Sequence, residues 1–473
     1  MRRSCMVAAT TLALVATLVS VVSGRVAGVE DGRTNIVVLM LDDMPAEAAR
    51  ELLARQPRIS SFFLQRGQRW ANFYANDPLC CPGRASFLTG LYSHHHGVTR
   101  NDARLFEPYE TIATSLDDSG YYTAIVGKYL NGLTAVPDKT PPGWDKVAIT
   151  AGGYYRDWWV NGTMVPHSDR SDPSDYSTDV LAAQAVSFLR EAPAGAPVFL
   201  YLNPFATHAL GSIYSGPEPA PRHAGDPGCG GMPRYATPAY NEVDVSDKPT
   251  WVQQLPRMNN PSLGWPQVAA CRALLSVDEM FGLVRDELQA QGRDQATLFM
   301  LVADNGMAWG DHRVAGKGVP YATHLPFWVR WPARNGAKAE TVLGHGQMID
   351  LAPTLADLAG TDLGPFPTGQ VRPDGVSLLP TILGGSPPAR PALYEEHSSG
   401  TKSSAPPWDA IRTTDGRWHY IEYDNGAKEL YDLAVDPWQL RSKHAEAAYE
   451  DVRARLAARL AALRDGPTTL AGR

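Results

Sequence analysis

Residues 35–41, NIVVLML, form an unbroken apolar run that ends directly in Asp42 and Asp43. A strand that is apolar at every position belongs inside a parallel sheet covered on both faces. Two further runs have the same form. Residues 197–202 lead through Asn203 and Pro204 to Thr207 and His208, and residues 296–303 (ATLFMLVA) end in Asp304 and Asn305. Between them lie segments with helical spacing: 177–189 carries Leu181, Ala185, Phe188 and Leu189 on one side, and 268–290 carries Leu274, Val277, Phe281, Val284 and Leu288. Strands alternating with amphipathic helices imply an α/β fold around a large, mostly parallel sheet flanked by helices. Such sheets bind ligands at the carboxyl ends of their strands, where these acids stand.

Asp42 and Asp43 repel each other unless a cation or an arginine lies between them. With Asp304 and Asn305 they offer an all-oxygen donor set, which suits a hard cation such as calcium or magnesium and not zinc or copper. The sequence has no CxxC pair, and His94, His95 and His96 lack a matching second cluster, so nothing points to zinc.

The stretch 79–90, LCCPGRASFLTG, places thiols where the chain runs into a helix. Pro82 suits a first helical position, which leaves Cys80 and Cys81 at or just before the start. Unpaired N–H groups and the dipole favour an oxyanion there, and Arg84 adds a fork of donors. The residues alone also allow a helix start with buried thiols, the reading that suits Cys81. Downstream, GYYTAIVGKYLNG at 120–132 reads as a short strand from which Lys128 emerges after Gly127, and GDHRVAGKGVPY at 310–321 supplies His312 and Lys317.

Cys80, Pro82, Arg84, Leu88, Thr89 and Gly90 match the pattern CxPxRxxxLTG, and the stretch resembles the signature of the formylglycine-dependent sulfatases of the alkaline-phosphatase-like superfamily. The stretch around Lys128 resembles the second sulfatase signature. The resemblance implies that Cys80 is oxidised to formylglycine (3-oxoalanine) by a formylglycine-generating enzyme. It implies catalytic roles for Cys80, Arg84, Lys128, His208 and Lys317. It also implies one divalent metal, calcium before magnesium, held by Asp42, Asp43, Cys80, Asp304 and Asn305. Three departures stand out: Leu130 where many arylsulfatases carry histidine, Thr207 before His208 where the family has proline, and His324 where relatives often have arginine. KYLN at 128–131, with PPGW at 141–144, is similar to the glucosamine-6-sulfatase and heparan-sulfatase branch. The expected reaction is hydrolysis of a sulfate monoester, on a sulfated sugar such as N-acetylglucosamine-6-sulfate. Arylsulfates, or phosphate and phosphonate monoesters on the same fold, are the alternatives. A thiol-dependent hydrolase using Cys80 directly, and a secreted sugar-binding protein on a sulfatase scaffold, are rivals; the second predicts losses among the metal, lysine and cysteine positions, and none is lost.

Arg2 and Arg3 precede an uncharged run, 4–24, rich in Ala, Val and Leu, which reads as a signal peptide cleaved after 24 or as late as 28. An uncleaved anchor is the rival reading, since the run is about long enough to span a bilayer. A secreted or extracytoplasmic protein with no stable membrane span follows. Removing Cys5 with the signal and giving Cys80 to catalysis leaves Cys229 and Cys271 as a disulfide pair or as two unrelated thiols. The net charge of −7 gives no support for nucleic-acid binding.

At 473 residues and 44% hydrophobic, the chain can bury one large core and a smaller one. We expect a catalytic domain at 33–383, a Pro/Ser/Gly-rich linker passage at 384–407, and a small C-terminal domain at 408–473 with an antiparallel sheet and a helix at 449–463. The Gly- and Pro-rich stretch 211–267 reads as a wall of the substrate pocket, or as a surface excursion pinned by Cys229.

Overall fold

The computed structural model describes residues 33–211, 215–233, 235, 237–258, 267–335, 339–366, 369, 372–398 and 405–465. The proposed signal at 1–24 lies outside them. In chain order the strands are β1 (Asn35–Leu41), β2 (Gln68–Tyr74), β3 (Tyr122–Lys128), β4 (Lys146–Thr150), β5 (Trp158–Val160), β6 (Thr163–Val165), β7 (Val198–Asn203) and β8 (Thr297–Ala303). They continue with β9 (Ala308–Trp309), β10 (Ala315–Gly316), β11 (Phe327–Arg330), β12 (Glu340–Gln347), β13 (Leu393–His397), β14 (Trp408–Arg412), β15 (Trp418–Tyr423) and β16 (Lys428–Asp432).

Among the described residues, one sheet has ten strands in the order β12-β2-β11-β8-β1-β7-β3-β4-β5-β6. Its centre, β8-β1-β7-β3-β4, is parallel, as the unbroken apolar runs require. Every residue of β1, β3, β7 and β8 is buried. The helices Ser177–Glu191 and Gln267–Ala290 pack on each other, and the first also lies on β3 and β7. The helices Cys80–Thr89 and Leu351–Ala359 form a second group.

Register decides what the strands deliver. β1 and β8 pair from Asn35 with Thr297 to Leu41 with Ala303, so Asp42 and Asp304 leave the sheet at one level. β3 and β7 pair as far as Gly127 with Asn203, which brings Lys128 out beside them.

The second sheet is antiparallel in the order β13-β14-β15-β16. Leu456 and Leu460 of the helix Glu450–Asp465 join Tyr394, Ile411 and Trp418 in its core. Both sheets belong to one compact unit, Arg33–Arg473. β13 lies inside the passage read above as a linker, so the small sheet starts before residue 408. Its sequence, LYEEH, hides the strand because two glutamates are buried there, Glu395 against Arg412 and Glu396 against His94.

A disulfide joins Cys229, in the Gly- and Pro-rich stretch, to Cys271 of the helix Gln267–Ala290, closing 42 residues. Loop closure on that scale restrains the unfolded chain. Cys229→Ser/Cys271→Ser is expected to lose about 2–4 kcal/mol in denaturant titration relative to the oxidised protein.

Candidate functional site

The carboxyl ends of β8, β1, β7 and β3 converge on one buried cluster. Asp42 and Asp43 follow β1, Asp304 and Asn305 follow β8, and all four are essentially without solvent exposure. The chain beyond β7 is tied to the same point: Asp42 N–H donates to Ala206 O at 3.1 Å, and Thr207 N–H donates back to Asp42 O at 2.9 Å. Asp43 takes a left-handed conformation (φ 57°), and its N–H donates to Asp304 Oδ1 at 3.2 Å.

The helix Cys80–Thr89 brings the thiol. Leu79, in an extended conformation, is the N-cap, so the helix starts at Cys80 itself. Pro82 is then the third helical residue and not the first, still within the turn whose N–H groups have no helical partner. Gly83 explains how the helix approaches so closely. A Cβ there would lie 2.2 Å from the carbonyl oxygen of Asp304, so any side chain would push the helix off β8.

Arg84, 1% exposed, fastens three strand ends. Its Nε donates to Asp304 Oδ2 at 2.9 Å; its Nη1 donates to Lys128 O at 2.8 Å and to Asn203 Oδ1 at 2.9 Å. Nη2 has no hydrogen-bond partner and stands 3.9 Å from Asp42 Oδ2. Lys128 Nζ donates to Asp42 Oδ2 at 2.5 Å. Lys317 Nζ, on the loop after β10, donates to Asp43 Oδ1 and lies 2.9 Å from Cys80 Sγ. His208 stacks on Phe205 with ring centroids 4.6 Å apart, and its Nε2 lies 3.4 Å from Asp43 Oδ2.

The electrostatics follow from burial. Desolvation alone would raise Asp42 and Asp43, but Lys128 beside the first and Lys317 beside the second, with His208, hold both below the ordinary carboxylate value. The same carboxylates hold Lys128 and Lys317 above the ordinary lysine value against their own burial. Burial pushes the Cys80 thiol up to about 11, against the pull of both lysines. As a thiol, Cys80 is therefore protonated and a weak nucleophile at neutral pH.

The donors fit a metal ion. Ligand atoms of Asp42, Asp43, Cys80 and His208 all lie within 4.8 Å of one another. Asn305 Nδ2 donates to Asp43 Oδ1 and Gly306 O, which leaves Asn305 Oδ1 buried with no partner. A buried orphan carbonyl oxygen costs free energy unless something coordinates it. Asp42, Asp43 and Asp304 balance Arg84, Lys128 and Lys317 in charge, so a divalent cation held there would tip the cluster positive.

The structure thus brings together Asp42, Asp43, Cys80, Arg84, Lys128, His208, Asp304, Asn305 and Lys317. It sets Cys81 apart, buried with its Sγ accepting from Asn131 N–H at 3.1 Å. His312 pairs with Glu242 at 2.6 Å under the Tyr321 ring, and His324 sits between Glu47 and Ala71 O, both away from the cluster. Gly83 and the acceptor role of Asn203 were not singled out from the sequence. Asn203 carries a usable signal, a polar residue closing an apolar strand, as Asp304 does; the tight contact of Gly83 carries none.

The Sulfatase family model matches residues 34–361, and the model of the N-sulphoglucosamine sulphohydrolase C-terminal region matches residues 309–466. An arylsulfatase of Volvox carteri is 29% identical over 91% of this chain and 74% of its own length. The N-acetylglucosamine-6-sulfatase of Homo sapiens is 26% identical over 86% of this chain and 80% of its own. Among solved structures, a protein in complex with its substrate D-glucosamine-2-N,6-O-disulfate superimposes with a TM-score of 0.73 at 23% identity, covering 93% of this chain and 100% of that one. That likeness speaks for the fold.

Gly83→Ala is expected to destabilise the protein by about 1–3 kcal/mol, as overpacking against rigid backbone does. A thermal midpoint equal to the unsubstituted protein's would contradict the contact with Asp304.

Proposed function

Because the chain belongs to the sulfatase family, we propose that it hydrolyses the sulfate ester of a sulfated sugar, with N-acetylglucosamine-6-sulfate and related glucosamine sulfates as the substrate class. The chain is a sulfuric ester hydrolase of a metal-dependent family; the sugar, the ion and the residue roles are the proposal. One observation carries it: three cationic side chains and three carboxylates surround Cys80 at the buried end of the sheet.

Asp42, Asp43, Asp304 and Asn305 would hold the divalent metal, with Cys80 completing the set. The oxygen donors of the aspartates and Asn305, with the oxygen that formylglycine would put at position 80, favour calcium, with magnesium the alternative. When bound, the metal supplies Lewis-acid stabilisation of charge. Formylglycine made from Cys80 during maturation would supply, as its hydrate, an oxygen nucleophile in place of the thiol.

The chain's own residues do the rest. Lys128 and Lys317 take the charge of the sulfate oxygens, in a site where water does not screen it. Arg84 fixes the strand ends so that those cations stay in register. His208, its Nδ1 engaged with Ala209 O at 2.7 Å, points Nε2 into the cluster and is placed to give a proton to the departing alcohol. Leu130, buried where arylsulfatases often carry histidine, removes a second candidate acid. The identity with an N-acetylglucosamine-6-sulfatase over most of both chains supports the sugar, as does KYLN at 128–131. An uncharged run at 4–24 after Arg2 and Arg3 supports export, and among the described residues no helix is long and apolar enough to cross a membrane.

The test joins mass and turnover. The peptide spanning residues 79–84, from protein matured in a host that makes formylglycine, is expected to be about 18 Da lighter than its cysteine form. That protein should turn over sulfate esters in preference to the matching phosphate esters, and Cys80→Ala should remove activity by a factor of about 10³ or more. An active protein with unmodified Cys80, blocked by thiol alkylation, would mean a thiol-dependent hydrolase instead.

Removal of the metal gives a separate expectation. Chelation should abolish turnover and lower the thermal midpoint, since a ligand bound only by the folded state stabilises it. Calcium should restore both at lower concentration than magnesium; the reverse order would change the ion.

A further inference from the structure

Beside Lys128 the chain makes a loop whose arginine is used by nothing else described. Gly152 (φ 98°) and Gly153 (φ 138°) kink the backbone after β4. A Cβ on Gly152 would lie 2.9 Å from the Phe205 ring and 3.3 Å from Lys128 Cδ, so the loop rests directly on the residues that border the cluster. Phe205 in turn stacks on His208, and Tyr154 OH donates to His208 O at 2.8 Å. The loop is therefore fastened to the rim formed by the partly exposed His208. Gly153 gives room for Arg156 to fold back: a Cβ there would meet Arg156 Cγ at 2.4 Å.

Arg156 itself is exposed, and its Nε donates to Gly152 O at 3.3 Å. Its two terminal nitrogens have no hydrogen-bond partner and no carboxylate within ion-pair distance among the described residues. The neighbouring arginine is different: Arg170 is paired with Glu218 and lies 5.0 Å above the Tyr155 ring. Asp157, next in sequence, is engaged by the N–H of His167 at 3.2 Å. A guanidinium held by one backbone contact, with its fork of N–H groups open, matches the geometry of a sulfate.

We propose that Arg156 is a specificity-determining residue that binds a second sulfate on the same sugar whose ester is cleaved. This rests on the sulfated-sugar reading above and narrows it to sugars carrying two sulfates. The ester to be cleaved lies among Lys128, Lys317 and Cys80, and the second sulfate lies against the open N–H fork of Arg156, which the packed Gly152–Gly153 kink holds beside Lys128.

The experiment measures kcat/KM on glucosamine-2-N,6-O-disulfate, on N-acetylglucosamine-6-sulfate and on a simple aryl sulfate, for the mature protein, Arg156→Ala and Arg156→Lys. The unsubstituted protein is expected to prefer the disulfate over the monosulfated sugar at least tenfold. Arg156→Ala should reduce that ratio about tenfold, chiefly through KM, and Arg156→Lys should keep part of it. A ratio in Arg156→Ala within twofold of the unsubstituted protein's, with the thermal midpoint unchanged, would overturn the assignment while leaving the sulfated-sugar reading intact. Turnover of the aryl sulfate with neither sugar cleaved by the unsubstituted protein would overturn both.

Discussion

Three carboxylates buried at the end of one sheet impose the requirement that the remaining architecture meets. Asp42, Asp43 and Asp304 have no access to water, and a lone buried carboxylate would take up a proton or unfold the site. Each is instead matched by a cation from a different element: Arg84 from the helix, Lys128 from β3, and Lys317 from the loop after β10. The pairing needs the helix to lie against β8 at backbone distance, which is why residue 83 is glycine. The charges hold the fold together at this point, and in doing so prepare it for an anion.

The C-terminal sheet serves the same cluster from outside. Gly318, directly after Lys317, donates its N–H to Pro78 O at 2.9 Å, and its carbonyl accepts from Trp408 Nε1 at 3.1 Å. His397, at the end of β13, pairs with buried Asp77 at 2.9 Å, three residues before Cys80. Arg412 reaches Thr323 Oγ1 at 3.2 Å, and Tyr321 OH donates to Glu429. The loop that carries Lys317 is thus clamped between the helix start and the small sheet. A lysine on a long flexible stem gains positional precision only from such packing.

The Gly- and Pro-rich stretch is held in a related way. Arg313, in a left-handed conformation, donates to the carbonyls of Glu242, Val243 and Leu255, and Tyr235 OH donates to Asp311. Together with the disulfide to Cys271, these bonds fasten the stretch to the hairpin of β9 and β10, immediately before Lys317. Where the described part of this stretch lacks regular structure, backbone carbonyls such as those of Glu242, Val243 and Leu255 find their partner in the Arg313 side chain.

The apolar runs and their abrupt ends in Asp42, Asp304 and Asn203 are local patterns, and local patterns are enough to read the parallel strands and the polar groups at their ends, whereas the helix begins at Cys80, two residues before the position Pro82 suggests. Burial of a strand on both faces writes itself into every residue, and a polar residue after such a run stands at a sheet's edge whatever the topology. The strand LYEEH was hidden because its glutamates are neutralised by Arg412 and His94, which lie far away in sequence. The contact of Gly83 with Asp304 and the clamp on Gly318 were equally beyond reach. Tertiary structure alone decided these, since each depends on two segments meeting at a distance that neither encodes by itself. The family resemblance separates His208 from His312, which look alike as loop histidines, and the tertiary structure supplies the physical reason: the register of β7 on β1 carries the first to Asp43 while Glu242 holds the second away.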